Sequence, residues 1–408
     1  GDLSLTGKTV AFPDGSAQSG NTVALNLTGA TLSANHAHLT GSNIYSGSGF
    51  ILNNVTLNGN IARGNNMTLS SCGSAAAVTN TLYVNGGLGW QAFKTLQQTG
   101  IDNNTAVIVT PDATDLGSMG FTNSGDWTFD ASKEGAAAGD KAGSWGLTFN
   151  NINATTSGNI TLTGMSMTNS TLSGSSVHLQ GAANGSLSVT NSNLTATAGN
   201  ITLNTTNASL SVNNSNLNAS NGNVSMMVTG VTGNANALSV TGGNITAGQN
   251  IALNGTVVTG TGSGVALTNT NMTATAGNIS VNGTGYDSGN GALYVNGGNF
   301  SALNTVMEGT AGRNNVGAKL AGNISVTQGN LAVTGTMKHY SGAGFTGLLA
   351  QSGLNVNVSA GDLSLTGKTV AFPDGSAQSG NTVALNLTGA TLSANHAHLT
   401  GSNIYSGS

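Results

Sequence analysis

The chain has 408 residues, with 9 Lys and Arg against 13 Asp and Glu, a formal net charge of −4, and only 5% charged residues. Ordinary soluble domains carry about 25%, so there is neither the basic footprint of a nucleic-acid binder nor a field to steer a charged ligand. A hydrophobic content of 38% argues against a disordered chain, and no apolar run reaches the ~20 residues of a membrane helix.

Residues Gly1–Ser48 recur letter for letter as Gly361–Ser408. The offset of 360 makes residues 1–360 one full tandem unit and 361–408 the start of an identical next one. The sequence from Val356 to Leu365 reads through the join without a break. A longer natural array is therefore expected, with export signals outside this window. Within the first copy, His36-Ala37-His38 places two imidazoles on one side of a strand, a spacing compatible with a metal. No third ligand is evident, and an outward-facing strand or turn accounts for the pair. Cys72 is the single cysteine, which excludes an intramolecular disulfide and fits a buried small hydrophobe.

The segment 88–145 departs from the rhythm of the rest and is expected to be a non-rung insertion. All three tryptophans, Trp90, Trp127 and Trp145, fall in it. So do Lys94, Asp102, Asp112, Asp115, Asp126, Asp130, Lys133, Glu134, Asp140 and Lys141. Gln91–Gln98 fits a short helix with Ala92, Phe93 and Leu96 on one side, and Thr105–Thr110 fits a buried strand before Pro111. Insertions in solenoids map to loops on one face, often the binding face. Two readings stay open: a partner-binding protrusion built on Trp90, Phe93, Trp127 and Trp145, or an insertion that caps or widens a rung. Asp112 with Asp115, or Asp126 with Asp130, could pair for acid–base work. Carbohydrate-active β-helices cluster such groups across neighbouring rungs, and outside this segment almost none exist to cluster.

Beyond the segment a shorter period takes over. The run from Leu187 to Leu203 is answered by Val265 to Val281 with identical spacing, and weaker relatives start at Leu147, Leu210, Leu238 and Leu293. From Leu187 onward the starts fall at Leu210, Leu238, Val265 and Leu293. Their separation lies within the range of solenoid repeats. Side chains alternate along a strand, so Leu187 and Val189, Leu194 and Ala196, and Ile201 and Leu203 form three inward pairs. Val265, Leu267, Met272, Ile279 and Val281 match them. Between the second and third pairs, Ala198-Gly199-Asn200 is the expected positive-φ corner. Three short strands separated by corners make a triangular rung of roughly 20–28 residues that buries its aliphatics only by stacking on the next. These features predict an all-β, parallel β-solenoid, a tandem-repeat rod.

Gly-Asn-Ile-Thr-Leu at Gly158–Leu162 and Gly199–Leu203, and Gly-Asn-Ile-Ser-Val at Gly277–Val281 and Gly322–Val326, recur in these rungs. In this pattern the chain resembles the passenger regions of filamentous-haemagglutinin-like exoproteins and autotransporters. The resemblance implies a right-handed parallel β-helix, an extracellular or bacterial cell-surface location, and a role in adhesion, aggregation or biofilm. Its partners would be neighbouring units end to end, other fibres, or surface glycans, with no cofactor, metal or catalytic residue. The alternatives are a carbohydrate-binding or carbohydrate-active β-helix of lyase or hydrolase type, and an ice-binding solenoid. Thr195-Ala196-Thr197 and Thr273-Ala274-Thr275 motivate the last, although an outward Thr is ordinary strand chemistry. Asn-x-Thr/Ser sequons recur, as at Asn26, Asn54, Asn159, Asn200, Asn278 and Asn323. Glycosylation is one reading. The other is a corner Asn followed by an inward Ile and an outward Thr or Ser, with the amides stacked into ladders.

Overall fold

A computed structural model of the chain describes residues 2–7, 25–27, 36–40, 44–46, 50–52, 55–58, 80–84, 105–109, 127–130, 147–150 and 153–406, save 183, 288–289, 313–315, 339–345 and 371–382. Every regular element among them is a β-strand. The strands pair in parallel with strands one turn further along the chain, which makes the fold a parallel β-solenoid. Two compact units divide at Gly185 and Ser186.

In the second unit, Leu187–Thr190, Asn193–Ala196 and Ile201–Thr206 form one rung. Leu210–Asn213, Asn216–Ala219 and Val224–Thr232 lie on it strand for strand. One ladder then runs Leu187, Leu210, Leu238, Val265, Leu293 and Ala318 in register. Another runs Leu203, Met226, Leu253, Val281, Met307, Val333 and Leu365. All of the inward positions expected from the two matching runs are buried. The core is thus a set of aliphatic columns, with Phe300 its largest fully buried side chain. Burial of such side chains contributes about 1.5–3 kcal/mol each.

The corners differ from expectation. Gly199 and Gly277 are not among the positive-φ residues; that conformation belongs to the corner before the second strand, at Asn191 (φ 48°), Asn214 (φ 46°) and Asn269 (φ 48°). Asn tolerates the left-handed region better than other residues with a side chain, and the next residue then turns inward. Ser192, Ser215 and Thr270 are buried there. Ser192 Oγ donates to the Thr190 carbonyl at 2.8 Å, and Ser215 Oγ to that of Asn213 at 2.8 Å, so each hydroxyl closes its own corner. The glycine of the other corner is needed for a different reason: a Cβ on Gly277 would overlap the carbonyl oxygen of Gln249 in the rung below.

In the first unit the rung shortens. Leu147–Asn150, Asn153–Thr155 and Ile160–Thr163 carry Met165–Thr168, Thr171–Gly174 and Val177–Gln180. Leu147 pairs with Met165, a shorter step than that from Leu187 to Leu210 and shorter than the rung expected from the sequence. Most of the saving is in the third strand, which is shorter than Ile201–Thr206, and in the corner after it, where Gly164 alone (φ 73°) leads to the next rung. Ile160, Leu162, Met167, Leu172, Val177 and Leu179 are buried, so a short rung keeps the same inward pairs.

The identical copies have identical register. Leu3 pairs with Ala37 and Leu5 with Leu39; Leu363 pairs with Ala397 and Leu365 with Leu399. The join falls inside a rung, between Asn355–Val358 and Leu363–Thr369. These two strands stack on a single preceding strand, Ala318–Met337.

Candidate functional surface

Among its described residues, the tryptophan-rich segment meets the ladders at two places. Thr105–Val109 pairs with Asn80–Val84 on one side and Leu147–Asn150 on the other. Trp127–Asp130 pairs with Ile160–Thr163, placing Trp127 opposite Ile160. At these residues the segment supplies ladder strands, so the expectation of a wholly non-rung insertion does not extend to them. The strand foreseen at Thr105–Thr110 is present as Thr105–Val109. Trp90, Phe93, Trp145, the Trp127 side chain and the helix foreseen at Gln91–Gln98 lie outside the described residues, as do Cys72, Asp112, Asp115 and Asp126.

In the second unit, variation gathers at one edge. The first two corners stay short, whereas the connection from the third strand to the next rung grows from 207–209 through 260–264 and 286–292 to 370–382. These connections leave one above another. Asp287 N donates to Gly260 O at 3.1 Å, Gly312 N to Gly285 O at 2.8 Å, Lys338 N to Ala311 O at 2.9 Å and Val370 N to Met337 O at 3.1 Å. Tyr286 and Asp287 sit on this edge, with Tyr286 37% exposed. On the strands that follow it, Lys319 places its ammonium 5.7 Å from the ring centroid of Tyr294, a weak cation–π contact at an exposed site. A stack of loops on a fixed edge lets each rung change its chemistry without disturbing the core.

Most of the other outward positions are uncharged hydroxyls and amides, broken by exposed apolar side chains such as Met227, Leu303 and Tyr405. Ser188, Ser211 and Ser239 form one column, and Thr195, Asn218, Thr246, Thr273 and Ser301 another. Asn218 and Ser301 interrupt the Thr row that ice binding would use. Among the described side chains, Asp287, Glu308 and Asp362 stand on three different columns: the loop edge, the outer face of the third strand, and the second corner.

Two asparagine ladders line the second strand. Asn216, Asn244, Asn271 and Asn299 each donate Nδ2 to the Oδ1 of the asparagine one rung before, at 2.9, 2.8, 3.0 and 2.8 Å. The second ladder runs through Asn200, Asn223, Asn250, Asn278, Asn304 and Asn330. Two sequon asparagines, Asn200 and Asn278, are members of it, so the ladder reading of those sequons holds. Asn330 Oδ1 then accepts from Asp362 N at 2.9 Å, and Asp362 Oδ1 lies 3.1 Å from His396 Nδ1. The ladder therefore crosses the join between copies and ends in an exposed Asp–His pair. His396 and His398 repeat the motif of His36 and His38; among the described residues no group of three His, Cys, Asp or Glu could hold a metal ion. The Asn-Ser/Thr-Asn corner motif was missed in the sequence, although its signal is there in Asn191–Asn193, Asn214–Asn216 and Asn269–Asn271.

No protein-family model, no curated protein and no solved structure matches this chain.

Proposed function

We propose that this chain is part of the stalk of a secreted or cell-surface bacterial repetitive adhesin, acting in adhesion, aggregation or biofilm. The observation that supports this reading most is the join. One rung contains the end of one unit and the start of the next, with Leu363 and Leu365 fully buried against the preceding strand. Among the described residues no closing element stands at the join, so one unit adds to the next as one more set of rungs. Stacking also covers strand edges that would otherwise pair indiscriminately. Outer faces of Ser, Thr and Asn carry little charge, so their contacts with other fibres or with surface glycans would depend weakly on salt. The loop edge with Tyr286, Tyr294 and Lys319 is the place for such contacts in the described part, and the tryptophan-rich segment is a second one.

The test is display of arrays of increasing copy number on a bacterial surface. Fibre length in electron micrographs should rise by a constant increment per unit, and cell aggregation should rise with it. Aggregation that ignores copy number would remove the stalk reading. Retention of the chain on a glycan column, lost on Tyr294→Ala, would favour the carbohydrate-binding alternative.

A further inference from the structure

Apart from histidines, the basic residues among those described are Lys319, Lys338 and Lys368. Two of them come together on the loop edge, where the units join. Leu331–Met337 and Leu363–Thr369 pair in register, with Lys368 opposite Thr336. Val370 N donates to Met337 O at 3.1 Å, which carries the stacking past Lys338. Side chains alternate along a strand, so Thr334, Thr336 and Lys338 share the outer face with Thr366 and Lys368. One rung and two residues separate the lysines, about 8 Å between Cα atoms. Both are exposed, although a further rung, Val383–Asn386, Thr391–Ser393 and Ala397–Thr400, already lies on that of Lys368. Among the described residues neither ammonium has a carboxylate partner. Glu308 faces the same way but is opposite Thr334, about 14 Å from Lys338. Asp287 lies two rungs below, and Asp362, at the far end of the Lys368 strand, is engaged by His396. Like charges set side by side repel, so the fold gains nothing from this pair. Lys338 belongs to one unit, whereas Lys368 repeats Lys8 and belongs to the next, so the pair is assembled by the join.

We propose that the join is a binding site for an acidic polysaccharide of the polyuronate class, with one uronate carboxylate seated between Lys338 and Lys368. Each ammonium gives the carboxylate a charge-assisted hydrogen bond. Thr336 and Thr366 beside them both donate and accept, which suits the ring hydroxyls of the sugar. Two cations among hydroxyls match a chain that carries one charge per sugar. Duplex nucleic acid is held through many phosphate contacts at once, and the described part of this face offers no further cation to make them. Each join supplies one site, so an array binds a long polysaccharide at regular intervals and gains avidity with copy number. The contact is salt-sensitive, unlike those of the uncharged faces. The inference rests on the join and narrows the glycan contacts of the proposed function to one class. Its failure would leave the growth of fibre length with copy number untouched.

The test is retardation of the full-length chain on immobilised polygalacturonate, with neutral dextran, dextran sulfate and duplex DNA as comparison matrices. The chain should be retarded on polygalacturonate at low salt, released at about 0.3 M salt, where screening is within a few ångströms, and pass dextran freely. Lys338→Gln and Lys368→Gln should each weaken the interaction by about threefold, the order expected of one exposed ion pair. Lys338→Arg with Lys368→Arg keeps both charges and should stay retarded. Both side chains are exposed, and far-UV circular dichroism reports that the variants keep their strands. Retardation unchanged when both lysines become Gln, equal retardation on neutral dextran, or retardation confined to dextran sulfate or to DNA would each overturn the proposal.

Discussion

Thr305 stands in a column otherwise filled by aliphatic side chains, between Ile279 below and Leu331 above. It is fully buried, and its Oγ1 has no hydrogen-bond partner. An unsatisfied buried hydroxyl costs about 1–3 kcal/mol, so Thr305→Val should stabilise the chain by about 1–2 kcal/mol in urea unfolding. A loss of stability would mean that the hydroxyl is satisfied in solution. Asn191 shows the opposite case. Its φ of 48° is tolerated by Asn and Gly but costs other residues about 1–2 kcal/mol. Asn191→Ala should lose about that much, and Asn191→Gly should come close to the parent. His178, on the half-covered outer side of Val177–Gln180, has its pKa lowered below the ordinary 6.5 by burial. The fold therefore prefers the neutral ring and the unfolded chain binds the proton more readily. The contribution of His178 is present above pH 6.5 and is lost as pH falls through 6.5 to the lower folded-state pKa. His178→Gln should flatten that part of the stability–pH curve, and an unchanged curve would remove His178 as its cause.

At the scale of strands and corners, much was readable from alternation alone. Leu187 to Leu203 marks inward and outward sides residue by residue, because burial on a two-residue period admits no other strand register. The corners were harder. A glycine can be present for its φ or for its lack of a Cβ, and a sequence does not separate the two. Gly277 proves to be the second kind. Gly277→Ala should therefore destabilise by about 1–3 kcal/mol through steric conflict, with the rungs at 249–251 and 277–279 losing hydrogen-exchange protection first. Rung length was misjudged for the same reason: one glycine, Gly164, shortens a corner that elsewhere takes several residues. The tryptophan-rich segment misled through composition. Charge and aromatics concealed one strand, Trp127–Asp130, and the membership of the foreseen strand Thr105–Val109 in the ladders it pairs with.

For the molecule as a whole, the exact recurrence of Gly1–Ser48 as Gly361–Ser408 announced the array, but not that the join would divide a rung. That follows from the mismatch between the tandem repeat and the rung, since the unit begins with the third strand of a triangle. Function was less readable because the chain places little chemistry in register: its outward columns are mostly hydroxyls and amides, and its few carboxylates stand apart. What the fold supplies is continuity, and the direct measure is amide hydrogen exchange across the join. Leu331 N donates to Asp362 O whereas Lys338 N donates back to Ala311 O, so protection of Leu331 and of the alternate amides of Leu331–Met337 that face Leu363–Thr369 depends on the second copy being stacked. In the intact chain these amides should exchange as slowly as those of Val224–Thr232 in the middle of the unit. Fast exchange at Leu331–Met337, with Val224–Thr232 still protected, would show that the copies are joined by a loose linker and contradict a continuous solenoid.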